Sequence, residues 1–214
     1  MKEPLRFSRP LDVPRLRGRH RQRLFASRWC ASGLLGWKHG YTVSIFAIMD
    51  TLVIRRADIQ DAAAISALAT SVAHCFTIKA SGEGAESFLA SLSPDSIAGY
   101  VASPRFDYRV AYRGQQLAGV IAMRDGSHLF HLFVAPHMHR TGVAGQLWQV
   151  ASHTAMVSGG VREFTVNSSP FATVVYERFG FRSVGPRAES RGIAYVPMRL
   201  AVEEAGATPG PGKP

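Results

Sequence analysis

The stretch from Phe133 to Leu147 combines a strand, a turn and the opening of a helix, with small residues where the helix begins. Free backbone N–H groups at a helix start, together with the positive end of its dipole, seat an anion such as a phosphate. Gly142, Ala144 and Gly145 let that anion approach the main chain closely, and Arg140 adds positive charge. By spacing alone, small residues there could equally serve only to pack a helix start against a sheet. Two more specific phosphate sites are excluded. No Gly-Lys-Ser/Thr follows the glycines, and the pattern G-x-G-x-x-G of a dinucleotide fingerprint is absent. His137, His139 and His153 suggest a metal, but a turn and most of a helix separate them and no Cys or carboxylate completes a tetrahedral set, so no metal is expected.

Ordered patterning starts at Thr51. Leu52 to Arg55 reads as a strand, and Asp58 can cap a helix with apolar positions Ala62, Ile65, Leu68, Ala69 and Val72. Ser93, Pro94 and Asp95 open a second helix. Three strand-like runs follow, Asp107 to Arg113, Gln116 to Arg124 and His128 to Val134, with Asp125 and Gly126 making a hairpin turn between the last two. Gly142 to Val157 is amphipathic and is stopped by Gly159 and Gly160. Glu163 to Val166 is a strand, Pro170 to Arg178 a short helix, and Phe181 to Val184 and Ile193 to Leu200 are the closing strands. The order β-α-α-β-β-β-α-β-α-β-β predicts a mixed α/β domain. Its centre is a mostly antiparallel twisted sheet of about six to seven strands, carrying about four helices.

Three motifs, in order across Thr51 to Leu200, give this chain its resemblance to the GCN5-related N-acetyltransferase (GNAT) superfamily. His139 to Ala144 resembles the acetyl-CoA signature Gln/Arg-x-x-Gly-x-Gly/Ala at the end of the fourth strand, with His139 where Gln or Arg is usual. Ala172 to Phe181 resembles the second hallmark, A-x-x-x-Y-E-x-x-G-F. Ile54, Arg55, Arg56, Ala57, Asp61, Ala62 and Ile65 resemble the first strand and helix.

The resemblance implies roles residue by residue. The amides of His139, Arg140, Thr141, Gly142, Val143, Ala144, Gly145 and Gln146 would hold the pyrophosphate of acetyl-CoA, the expected co-substrate. The main chain of Phe133 and Val134 would pair with the pantetheine arm like an added strand, and the Val134 N–H would polarise the thioester carbonyl. Tyr176 would protonate the departing thiolate. An amine acceptor must lose a proton before it attacks, and His128, with an ordinary pKa near neutrality, or a water chain would take it. His131 is the fallback. Simple alternation puts His128, Phe130, Leu132 and Val134 on one face and His131 on the other. Asn167 could bind the acceptor, although Ser169 stands where the family often has Asn. No cysteine has a context that suggests an acyl-enzyme, so direct transfer in a ternary complex is expected.

The net charge of +10 invites a nucleic-acid reading, but its location argues otherwise. Residues 1–48 hold ten Lys/Arg against Glu3 and Asp12, a charge of +8 that leaves only +2 for the rest. The extension reads as disordered, a basic arm, a targeting peptide or a mis-assigned start before Met49. The domain should run from 49 to 202, followed by a disordered tail, 203–214. No nucleic-acid contact through the folded domain, no membrane partner and a cytoplasmic setting are expected, and dimers common in the family leave a homodimer open. A small-molecule amine is the expected acceptor. A protein or peptide amine, or a non-catalytic acyl-CoA sensor, is the alternative.

Overall fold

A computed structural model describes residues 51–202, so the expected extension at 1–48 and the tail at 203–214 lie outside the described residues. The elements follow in the order β1 (Leu52–Arg56), α1 (Ala62–Ser71), α2 (Glu86–Ala90), α3 (Pro94–Ala102), β2 (Phe106–Arg113), β3 (Gln116–Arg124), β4 (His128–Val134), α4 (Val143–Gly159), β5 (Glu163–Ser168), α5 (Thr173–Arg178), β6 (Arg182–Ser183), β7 (Ala188–Ser190) and β8 (Ile193–Ala201). Two of these escape the sequence reading. Helix α2 is too short to show a period. Strand β7 is made by its turn: Arg191 and Gly192 both take positive φ, 50° and 71°, and fold β7 back onto β8 as a two-residue hairpin.

The helix signal at Asp58 acts one step earlier than expected. Asp58 caps a 3-10 turn, Ile59–Asp61, by accepting the Gln60 N–H, while the Asp61 side chain accepts the Asp58 N–H; α1 then starts at Ala62. Asp61 is buried with its charge because Arg55 holds both carboxylate oxygens, at 2.7 and 2.8 Å, and Tyr112 donates at 3.0 Å. Charge-assisted partners of this kind are what a buried carboxylate requires, and the Arg55 hydrogen bond holds its pKa below the ordinary value. The cluster ties β1, β2 and the start of α1 together.

The strands form one sheet in the order β1-β2-β3-β4-β5-β8-β6, with β7 also paired to β8. Every neighbouring pair is antiparallel except β4 with β5. Helices occupy both faces. A Cβ added to Gly119 of β3 would lie 3.0 Å from both Leu147 Cδ1 and Val143 Cγ1, so α4 rests directly on that face. Phe133 turns to the other face, where its ring meets Phe76, just past α1, at 5.8 Å. α1 and α3 pack on each other there. On the α4 side, Trp148 gathers Phe164, Phe179 and Phe181 at 5.1, 5.9 and 5.2 Å and seals β5 and α5 against the long helix.

Candidate functional site

Strands β4 and β5 share only two rungs, His128 with Thr165 and Leu129 with Val166. Beyond Leu129 both strands run on, β4 to Val134 and β5 to Ser168, without pairing to each other. The cause lies in β4. Its register against β3 slips by one between the pairs Met123–Leu129 and Ala122–His131, which leaves Phe130 as an extra residue. Such a bulge bends its strand and increases the local twist, so the parallel neighbours diverge into a V-shaped gap with its vertex at Leu129 and Val166.

The ladder settles which main-chain groups face this gap. Ala135 N–H donates to the Ala118 carbonyl at 2.9 Å, and antiparallel pairs alternate between bonded and non-bonded positions. Phe133 and His131 therefore direct their main-chain groups to β3, and Leu132 and Val134 direct theirs into the gap. Of the two residues the resemblance named for strand addition, Val134 has the required direction and Phe133 does not. Leu132 has that direction as well. The Val134 carbonyl is partly engaged already: the imidazole Nε2–H of His139 donates to it at 3.0 Å.

Beside the gap lies the start of α4. Gly142 sits there with φ 87°, a left-handed conformation that L side chains resist, and no described side chain caps the helix. The N–H groups of its first turn, on Val143, Ala144 and Gly145, thus lack the usual Ser, Thr or Asp partner. Outside the chain neighbours and backbone of its own helix, no described atom lies within 4 Å of a Cβ added to Gly145, so no side chain crowds the flank of this first turn. Arg140, exposed and with φ 63°, is held in the left-handed region, and Thr141 anchors the loop through its Oγ1, which donates to the Met138 carbonyl at 2.7 Å. His139, Arg140 and Gln146 are exposed around this start.

The remaining expected residues lie on β4, β5 and α5. His128 is half-buried on the last rung but one, below the vertex, with Nδ1 2.8 Å from Thr165 Oγ1. Burial lowers its pKa, and the Arg124 charge lowers it further, so the neutral ring is favoured. Asn167 is exposed on the stretch of β5 that pairs with β8 but not with β4, two residues beyond Thr165 and so on the same side of the strand. Tyr176 is buried on α5 between Phe179 and Phe181. Its hydroxyl has no hydrogen-bond partner among the described residues, and burial pushes its pKa well above 10, so the phenol stays protonated.

Alternation fails at the bulge. The rings of Phe130 and His131 stack at 4.2 Å, and both meet Tyr100 of α3, at 5.5 and 6.4 Å, so they share a face instead of opposing each other. Val134, opposite Gly119, lies on the α4 side. His131 is fully enclosed, Nδ1 2.8 Å from Tyr108 Oη, and burial lowers its pKa to about 3. That removes the fallback base, since an enclosed ring meets no substrate. Thr165, Leu132 and Gly119 escaped the sequence reading. Their roles come from neighbours on other strands, and no local motif marks them.

A sheet split by a bulge places an open strand edge next to an uncapped helix start, an arrangement suited to an extended ligand with an anionic end. The family model for the acetyltransferase (GNAT) domain matches residues 76–202, and the chain belongs to that family. No curated protein matches. Among solved structures, a GCN5-related N-acetyltransferase from Rhodopseudomonas palustris is 18% identical with a TM-score of 0.60, over 72% of this chain and 98% of that one. The PaiA N-acetyltransferase of Thermoplasma acidophilum, solved in complex with coenzyme A, is 14% identical with a TM-score of 0.58, over 71% and 99%. A spermidine N-acetyltransferase variant from Vibrio cholerae is 14% identical with a TM-score of 0.50, over 70% and 93%. At these identities the structures show a shared fold.

Proposed function

We propose that the protein transfers an acetyl group from acetyl-CoA to a primary amine of a small-molecule acceptor, by direct attack in a ternary complex. The observation that carries this reading is the V-shaped gap opening beside the uncapped start of α4. Backbone amides from Arg140 to Gly145 would hold the pyrophosphate, with Arg140 adding charge. Leu132 and Val134 would pair with the arm's amides as a neighbouring strand does. Acetyl-CoA supplies the activated acyl group; the protein's own residues place it and move the protons.

Distance orders the catalytic roles. Because of the bulge, His128 to Val134 spans only five facing residues of β3, and at about 3.3 Å each this puts roughly 17 Å between them, far beyond the ~3 Å of direct proton transfer. The contact that polarises the thioester oxygen is therefore assigned to the Leu132 N–H, closer to the vertex. Its remaining span to His128, about 10 Å by the same rise over three facing residues of β3, requires a water chain for the amine's proton. With Nδ1–H donating to Thr165, Nε2 is the acceptor at the end of that chain. Tyr176, protonated throughout the neutral range, supplies the proton that the leaving thiolate takes.

The test is to incubate the purified chain with acetyl-CoA and a broad amine panel, following free thiol, while measuring acetyl-CoA binding by calorimetry. Thiol release that depends on an amine supports transfer. Tight binding with no release for any amine overturns it in favour of a non-catalytic acyl-CoA sensor.

A further inference from the structure

Resting on the acetyl-transfer reading, we infer that the acceptor is an amine that also carries a carboxylate, and that Arg124 is the residue that holds it. Arg124 ends β3 opposite His128, and opposed residues of an antiparallel pair put their side chains on one face of the sheet. Its guanidinium carbon stands 5.3 Å from the centre of the Phe130 ring, and Phe130 meets Tyr100 of α3, so the face is the one that carries α1 and α3. Thr165 and, two residues on, the exposed Asn167 lie on that same face across the gap. The proposed base and the Arg124 charge therefore stand side by side where β4 and β5 begin to part, on the face opposite α4.

The donors of Arg124 are unspent. Among the described residues its guanidinium makes no hydrogen bond. The carboxylate beside it, Asp125, lies 3.9 Å away and is taken by Arg105, which donates to both of its oxygens at 2.9 and 2.8 Å. Arg199, opposite Thr165 on β8, is by contrast held by Glu163 at 2.6 Å. A half-buried guanidinium laid over an aromatic ring is already oriented, and its planar fork of N–H donors matches a carboxylate two bonds at a time. The reach fits as well. Phe130, under the guanidinium, is one to two facing residues of β3 from Leu132, about 3–7 Å by the strand rise, a span that a short amino acid covers. A carboxylate on Arg124 would thus leave the amine of the same molecule between the thioester and the water chain to His128.

Kinetics on matched amines, with the full chain and saturating acetyl-CoA, test this. The pairs are alanine with ethylamine, 4-aminobutyrate with propylamine and phenylalanine with phenethylamine, each differing by one carboxylate. For at least one pair, wild-type kcat/KM should favour the acid by about tenfold or more, and Arg124→Gln should cut that ratio about tenfold. Arg124→Lys, which keeps the charge and loses the fork, should fall between the two. Comparing the ratio between proteins cancels the amines' own reactivity and any effect of the Arg124 charge on His128, which acts on both members of a pair alike. A merely structural part for Arg124 therefore leaves the ratio unchanged in both variants, and that result overturns the inference. Turnover that is confined to amines without a carboxylate, or favours them in every pair, overturns it too and leaves acetyl transfer standing. Acetyl-CoA binding without turnover of any amine sinks this inference together with the reading it rests on.

Discussion

The imidazole of His139 donates from Nε2 to the carbonyl of Val134 at 3.0 Å, linking the phosphate loop to the open edge of β4 across five residues. This is the position at which the GNAT pattern carries Gln or Arg. The bond holds the last carbonyl that faces the gap, and so aligns the strand edge with the helix start that follows it. Removing it should loosen both contacts to the co-substrate together. His139→Ala is expected to raise the KM of acetyl-CoA about two- to tenfold, the worth of one net hydrogen bond, with little change in kcat. His139→Gln, whose amide can reach the same carbonyl, should recover most of the loss. Initial rates at varied acetyl-CoA check both, and an unchanged KM in His139→Ala would show that the bond has no such part.

Tyr176, the proposed acid, keeps a protonated phenol because burial makes its anion unfavourable. Tyr176→Phe keeps the ring that packs on Phe179 and Phe181 and deletes only the proton. Its kcat should fall by about 10²–10⁴-fold, the usual contribution of a positioned general acid, while acetyl-CoA binding measured by calorimetry stays within twofold of wild type. Retained kcat with intact binding would take the acid role away from Tyr176.

The pH dependence follows from His128. Burial depresses its pKa below 6.5, so the ring gives up its proton at a lower pH than a solvent-exposed histidine. Activity that depends on the neutral ring should therefore rise with pH through an apparent pKa below 6.5 and level off above it. His128→Gln should remove that limb and lower kcat. A profile for the amine-saturated enzyme that is identical in wild type and variant would assign the proton to another acceptor. Thr165→Val, which deletes the partner of Nδ1, should shift the limb without abolishing it.

Gly119 sets how closely α4 lies on the sheet. A Cβ there would meet Leu147 Cδ1, Val143 Cγ1 and the Phe133 carbonyl oxygen, each at 3.0 Å. Gly119→Ala must push α4 outward by a few tenths of an ångström, at a cost of about 1–3 kcal/mol from overpacking. Val143 is the first residue of that helix, so the shift also moves the anion-binding amides. Urea denaturation should show the lost stability, and acetyl-CoA affinity should weaken in the same variant. Unchanged affinity alongside lost stability would mean that the helix start moves independently of its packing.

Much of the site was legible in local pattern. The small residues at Gly142, Ala144 and Gly145 announced a helix start open to an anion, because backbone freedom and the missing cap are properties of a few consecutive residues. The buried tyrosine of α5 could be placed through the motif around it. The β4 bulge could not. His128 to Val134 reads as an even run, and the extra residue at Phe130 exists only relative to the neighbouring strand. With it went the alternation along β4, since His131 shares a face with Phe130; Phe133, named through the resemblance, directs its main chain to β3 because adjacent residues of an antiparallel strand alternate, which leaves Leu132 facing the gap.

By itself, then, the amino-acid sequence determined the strands and helices other than α2 and β7, where the charge resides, and that one helix would begin on small residues without a cap. These follow from side-chain periodicity, propensity and backbone freedom, which act over a few residues. Tertiary structure alone decided that β4 parts from β5 after Leu129, which amides line the opening, and that Phe130 and His131 share a face. Those are relations between chain segments brought together by pairing and packing, and a single-residue slip in register is enough to change them.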